Sequence, residues 1–323
     1  MNKVIIAGPG NSGSGAILDF LKSRDDTFDP FNTEEFRLVN DPGGISSLEE
    51  NLYNNFGINN SADSYAKFKK FCEKLINFKN RNNENVYPKN FENIFAKFSR
   101  DIINISYNGL PRFQRFNLSF SEKLKFYILR IIFKKNLEDI NIFKMIIPVE
   151  KDKFIRLANT FIDEIISSSK NFSKNKIALI DQGLNIFDAN NQIKYFTGSK
   201  CILTIRDPIG TFYTISKLKK NNVALAYQGL NVEKFVIWYA HIYKKIKSIN
   251  FDQKKVLVVK FEDFCLKHDE ISKKILNFVN LNNENSNFDI TNSLKNVEKI
   301  EEKIDKKDLE YIKLHLKNFI SEY

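Results

Sequence analysis

The chain has 323 residues, long enough to bury a large core as one big domain or two ordinary ones, and 42 % of them are hydrophobic, thirty being phenylalanine. That composition excludes a disordered chain, and no apolar run approaches the roughly 18 residues needed to span a bilayer. A net charge of +11 invites a nucleic-acid reading. Against it stand the absence of zinc-finger, RNA-recognition or basic-tail signatures and an abundance of Lys, Asn, Ile and Phe typical of codon bias. No nucleic-acid partner is expected. The positive field would instead concentrate a doubly phosphorylated cofactor, an acidic acceptor or a membrane surface.

The first element is an apolar strand over 3–7, too short for a signal peptide. It runs into Gly8-Pro9-Gly10-Asn11-Ser12-Gly13-Ser14-Gly15, and Ala16–Leu21 then reads as a helix. Such a turn aims backbone N–H groups and a helix N-terminus at one point, which suits an anionic phosphate. Gly8 and Gly13 have the spacing of a nucleotide triphosphate loop, but Ser14-Gly15 replaces the Lys-Ser/Thr pair that grips phosphate and magnesium. A phosphate is expected here, not a triphosphate, and no metal.

Asn32-Thr33-Glu34-Glu35-Phe36-Arg37-Leu38-Val39 follows, with 35–39 reading as a strand. Glu34 and Glu35 are either solvated strand-edge residues pairing with Arg37 or a carboxylate base. From about 46 to 172 there is almost no strand signal. Tyr65, Phe68, Phe71, Leu75 and Phe78 recur at helical steps behind Ser61 as a cap, as do Phe154, Leu157, Phe161 and Ile165. Tyr53, Phe56, Tyr65, Phe113 and Phe116 suit core packing or sugar stacking. Phe126–Lys135 is apolar with basic punctuation and reads either as a buried helix or as a peripheral contact with an anionic membrane.

Strands are predicted again at 176–181, 201–205 and 256–261, with a helix through Phe235, Trp238, Ile242 and Ile246. The fold class is therefore α/β, a P-loop-like parallel sheet flanked by helices on both faces. It forms a single domain over 1–323 with a helical insertion at about 46–172. Asn80–Asn85 and Asn282–Asn287 read as loops rather than domain boundaries. Cys72, Cys201 and Cys265 are odd in number and lack metal spacing, and a cytoplasmic, reducing setting is expected. His241, His268 and His315, on a helix, a loop and the terminal helix, show no triad pattern.

The strand over 201–205 ends in Arg206-Asp207-Pro208, with Thr214 and Ser216 following. A guanidinium fork and a hydroxyl eight positions on can grip a second phosphate; otherwise Arg206 is structural and fixes the strand end through Asp207. Here the chain resembles the sulfotransferases that use 3′-phosphoadenosine 5′-phosphosulfate (PAPS). Val256–Phe264 resembles their late strand with its aromatic-Glu-Asp turn, where Asp263 caps the next helix or holds the turn, Ile271–Val279 is that helix, and Ser293-Leu294-Lys295-Asn296-Val297 is similar to a segment near the C-terminus of bacterial members. The matches cover roughly 1–45 and 176–323. The resemblance implies that Gly10, Asn11, Ser12, Gly13, Ser14 and Gly15 cradle the 5′-phosphosulfate. It implies that Arg206 with Thr214 or Ser216 holds the 3′-phosphate, and that Lys295 and Asn296 close over the cofactor.

The implied reaction is in-line sulfuryl transfer to a hydroxyl or amine acceptor, with Glu35 as base, Glu34 as fallback and 3′-phosphoadenosine 5′-phosphate (PAP) as product. The Glu34-Glu35 match points to a glycan or glycolipid precursor as acceptor. One departure stands out: Asn11 replaces the Lys or Arg that stabilises the departing bridging oxygen. Either another cation fills the gap, or the protein is slow, or it binds nucleotide without catalysis. A P-loop phosphotransferase is the other alternative.

Overall fold

The computed structural model describes residues 2–32, 34–109, 119–132, 143–219, 231–281 and 287–320. In chain order the elements begin with β1 (Lys3–Ala7), α1 (Ser14–Lys22), β2 (Thr27–Phe28), α2 (Ile45–Glu49), α3 (Ile58–Ile76), α4 (Phe91–Asp101), β3 (Ile103–Gly109), α5 (Phe120–Ile132), β4 (Phe143–Pro148) and α6 (Lys151–Ser167). They continue with β5 (Ile177–Asp181), α7 (Ala189–Gln192), β6 (Lys200–Ile205), α8 (Pro208–Lys219), α9 (Val232–Lys247), β7 (Val256–Lys260), α10 (Phe261–Leu266), α11 (His268–Val279), α12 (Thr291–Leu294), α13 (Lys306–His315) and α14 (Lys317–Ile320). The chain divides into two compact units, Met1–Glu35 with Ser173–Tyr323, and Phe36–Phe172.

The first unit is an α/β layer built on a five-stranded, wholly parallel sheet in the order β2-β5-β1-β6-β7, flanked by helices. β1 is buried along its whole length, on both faces of the sheet, which is why it reads as an unbroken apolar run rather than an alternation. Its neighbours differ in sequence position: β5 lies on one side and β6 on the other. The strand order thus reverses at β1, and in such sheets ligands bind in the crevice beyond the carboxyl ends at that point. Val4, Ile6, Ile17, Phe20, Phe264 and Ile275 belong to one core; Phe212, Phe235, Tyr239, Tyr243 and Ile312 belong to a second, around α8, α9 and α13.

The second unit holds α2 to α6 and an antiparallel pair, β3 with β4. Its core is aromatic. Phe98 and Phe161 stack with centroids 4.4 Å apart, and Phe68 meets Phe98 edge-on at 5.7 Å. Tyr53 and Tyr65 donate to the carbonyls of Val149 and Ser99, so both serve packing, whereas Phe56 is exposed. Phe113 and Phe116 lie outside the described residues.

Several expectations are corrected. Residues 35–39 form no strand. The carbonyls of Leu38 and Val39 accept from Ile45 and Ser46, so a turn into α2 uses the groups that a ladder would need. The short β2 is the sheet's edge instead, and its two residues leave no period to detect. The 46–172 segment is not purely helical, because it contains β3 and β4. Ser61 lies inside α3, whose N-cap is Gly57. The Phe261-Glu262-Asp263-Phe264 stretch is helix α10 rather than a turn, and Asp263 pairs with Lys267 at 3.0 Å. His268 opens α11 and packs edge-on against Phe20. All three cysteines are buried and free. Most of Asn282–Asn287 lies outside the described residues, as do 133–135 of the Phe126–Lys135 stretch.

Candidate functional site

The site forms where β1, β5, β6 and β7 end. β1 gives way to a loop shaped by two left-handed residues, Asn11 at φ 63° and Gly13 at φ 88°. Asparagine is among the few non-glycine residues that adopt this conformation readily, which gives a backbone reason for Asn11. Gly13 has no alternative: a Cβ there would fall 2.2 Å from the Phe261 ring. Gly8 is equally constrained, with the Thr204 carbonyl at 2.6 Å. α1 starts directly behind Gly13, so its free N–H groups open at the loop. The Ser12 hydroxyl is buried and without a hydrogen-bond partner among the described residues.

Gly15 stands apart from its neighbours, because a Cβ there would meet nothing within 4 Å. Gly15→Ala is expected to raise stability by about 0.5–1 kcal/mol, the helix-propensity difference within α1. A melting curve of the unliganded protein checks this.

Arg206 lies at the centre of the other half. Its side chain is almost wholly buried, stacked over Phe261 with the guanidinium carbon 4.7 Å from the ring centroid. Nη1 donates to Thr214 Oγ1 at 2.8 Å and to the Asn11 carbonyl at 3.4 Å, and Nη2 donates to the Asn296 carbonyl at 2.8 Å. Nε makes no hydrogen bond and lies 3.9 Å from Glu262 Oε1. Its backbone is clamped as well: the Tyr243 hydroxyl accepts from its N–H, and the Tyr239 hydroxyl donates to its carbonyl at 2.6 Å. Those two rings stack at 3.9 Å. Asp207 caps α8 through Ile209 N at 2.7 Å.

Four predicted residues, Asn11, Arg206, Thr214 and Asn296, are therefore brought together, each from a different segment. Asn296 takes part through its backbone carbonyl, while its side chain turns back to the carbonyl of Asn292. Lys295 is exposed and donates to the Asn292 side chain. Ser216 is half-buried on α8, two residues beyond the Thr214 that Arg206 contacts and so on a different face of the helix. Glu34 is half-buried and Glu35 exposed, both in irregular backbone rather than on a strand.

Three residues were missed from sequence. Glu262 accepts from Asp207 N at 3.1 Å, and burial beside Asp207 pushes its carboxyl up to about 7, against the opposing pull of Arg206. Gln182, at φ 50°, donates to Ser14 Oγ at 3.1 Å and accepts from Gly8 N at 3.4 Å, tying the end of β5 to the loop. Asp181 closes β5 opposite Ile6. Its one available signal was a carboxylate ending an apolar strand, Ile177-Ala178-Leu179-Ile180-Asp181.

No family model and no curated protein matches the chain. Among solved structures it is similar to the sulfotransferase domain from the olefin synthase of Synechococcus PCC 7002, with 10 % identity, TM-score 0.37, and coverage of 88 % of this chain and 74 % of that one. It is similar also to the sulfotransferase domain from the curacin biosynthetic pathway, with 12 % identity, TM-score 0.34, and 88 % and 75 % covered. A third is a sulfotransferase from Alicyclobacillus acidocaldarius, with 11 % identity, TM-score 0.36, and 96 % and 99 % covered. Likenesses this distant leave the chemistry to be argued from the chain's own residues.

Proposed function

We propose that this chain is a PAPS-dependent sulfotransferase. The observation that carries the reading is the convergence on one buried guanidinium of a glycine-loop carbonyl, a helix hydroxyl and a C-terminal carbonyl, beside an open helix N-terminus. In this reading the loop from Gly10 to Gly15 receives the 5′-phosphosulfate on backbone N–H groups and the Ser12 and Ser14 hydroxyls. Arg206 and Thr214 receive the 3′-phosphate, exchanging their present bonds to neutral oxygens for bonds to an anion. The chain's residues bind, orient and neutralise, which is most of what a phosphoryl-like transfer requires of a protein.

The acceptor we assign is a hydroxyl, or an amine, of a glycan or glycolipid precursor. A test is PAP release from PAPS in the presence of pooled sugars, amino sugars and glycolipids. Release that depends on one pool supports the reading. PAP binding with no release from any pool favours the binding-only alternative, to which the uncharged Asn11 side chain points.

Peripheral membrane contact we assign to α5. Phe120, Leu124, Tyr127, Ile128, Ile131 and Ile132 are exposed there at helical spacing, and the helix sequence carries Lys123, Lys125 and Arg130 against Glu122 alone. No helix among the described residues is long and apolar enough to cross a membrane. Co-sedimentation with anionic but not neutral vesicles, weakened at least about fivefold by Ile131→Asp, is the expected result; each buried CH₂ contributes about 0.8 kcal/mol.

A further inference from the structure

We propose that Asp181 is the residue that takes the acceptor's proton, an inference that rests on the sulfotransferase reading above. The strand order sets the argument. Arg206 follows β6, on one flank of β1, and Asp181 ends β5, on the other. A ligand held on the β1 loop with its 3′-phosphate toward Arg206 leaves its opposite side to β5. Asp181 pairs with Ile6, two residues ahead of Gly8. Immediately after it, Gln182 donates its backbone N–H to the Ile6 carbonyl at 2.8 Å and binds Gly8 and Ser14 through its side chain. The carboxylate is thereby fixed relative to the cradle by the adjoining residue.

Two features distinguish Asp181 from Glu35. Glu35 is exposed in irregular backbone, whereas Asp181 stands on a strand, and its Oδ1 is buried with no hydrogen-bond partner among the described residues. A buried, unpartnered carboxylate oxygen is costly unless something arrives to use it. Its proton affinity suits the task. Burial, then the charges of Glu35, Asp29 and Asp19, hold its carboxyl up to about 7, with the Gln182 backbone N–H pulling the other way. Asp19 stands on α1, Asp29 follows β2, and Asp29 is itself paired with Lys22 at 3.2 Å. A base is most effective with its pKa near the working pH. Glu35 becomes a positioning residue that keeps the proton affinity of Asp181 high.

The step balances simply. The acceptor oxygen forms a bond to sulfur, and the bond from sulfur to the bridging phosphate oxygen breaks, its electron pair leaving with PAP. The hydroxyl proton passes to Asp181 Oδ1 and then to water.

The test uses the full chain, Asp181→Asn and Glu35→Gln. PAP titrations are run in two buffers of different ionisation enthalpy at pH 7.5, where the incoming phosphates raise the proton affinity of Asp181. Wild type should take up about 0.2–0.5 proton more per PAP than Asp181→Asn, with affinity within twofold. In the pooled-acceptor assay Asp181→Asn should release PAP at least about 100-fold more slowly. Glu35→Gln should keep most of the rate and shift its pH profile toward acid. Equal proton uptake in both proteins, an Asp181→Asn rate within threefold of wild type, or a parallel loss of PAP binding and rate would overturn the assignment. Failure of wild type to bind PAP would instead sink the nucleotide reading, and this assignment with it.

Discussion

Arg206→Ala is expected to weaken PAP binding by about 100-fold or more while leaving AMP binding, which lacks the 3′-phosphate, nearly unchanged. Charged hydrogen bonds contribute about 1.5–3 kcal/mol each, and 1.4 kcal/mol is a factor of ten. Two such bonds from one guanidinium fork account for the effect. The same substitution removes the internal bonds to Thr214, Asn11 and Asn296, so a loss of about 2–4 kcal/mol in stability accompanies it. Thr214→Val separates the two consequences. It deletes one hydroxyl at nearly constant volume and should cost roughly tenfold in PAP affinity with a smaller loss of stability. If PAP and AMP weaken equally in Arg206→Ala, the guanidinium is structural and the 3′-phosphate is held elsewhere.

Gly13→Ala is the second large effect, and it acts through the backbone. The residue stands at φ 88°, where an L side chain costs about 1–2 kcal/mol. The Phe261 ring occupies the space its methyl would need, and overpacking of this kind costs about 1–3 kcal/mol more. A total near 3 kcal/mol should lower the melting temperature of the unit by roughly 6–12 °C. Phe261 also supports the Arg206 guanidinium, so PAP binding should fall together with stability. Thermal unfolding beside Gly15→Ala makes the contrast internal: one loop glycine is indispensable and the other is replaceable. Unchanged melting of Gly13→Ala would contradict the loop geometry.

The central sheet was legible in the sequence because parallel strands buried on both faces leave continuous apolar runs, and four of its five strands do so. β2 escaped notice because two residues carry no pattern. The Phe36-Arg37-Leu38-Val39 run misled for a related reason: Phe36, Leu38 and Val39 are buried, but beneath a turn rather than in a ladder. β3 and β4 were missed within a segment whose phenylalanines advertise helices.

At the site, the loop glycines and Arg206 were readable from local signals, a strand followed by residues with unusual backbone or charge. Asp181, Gln182 and Glu262 were not, because their significance lies in neighbours far along the chain, such as Ile6 for Asp181, Gly8 for Gln182 and Asp207 for Glu262. The Asn11 substitution looked like a missing charge in sequence. In the structure it is a left-handed residue whose carbonyl accepts from Arg206.

The most direct measurement is a calorimetric titration of the wild-type protein with PAP, beside AMP and ATP with magnesium. The account predicts micromolar binding of PAP, at least tenfold tighter than AMP and tighter than ATP with magnesium. Equal binding of PAP and AMP, or tighter binding of ATP with magnesium, would contradict it and return the loop to phosphotransferase chemistry.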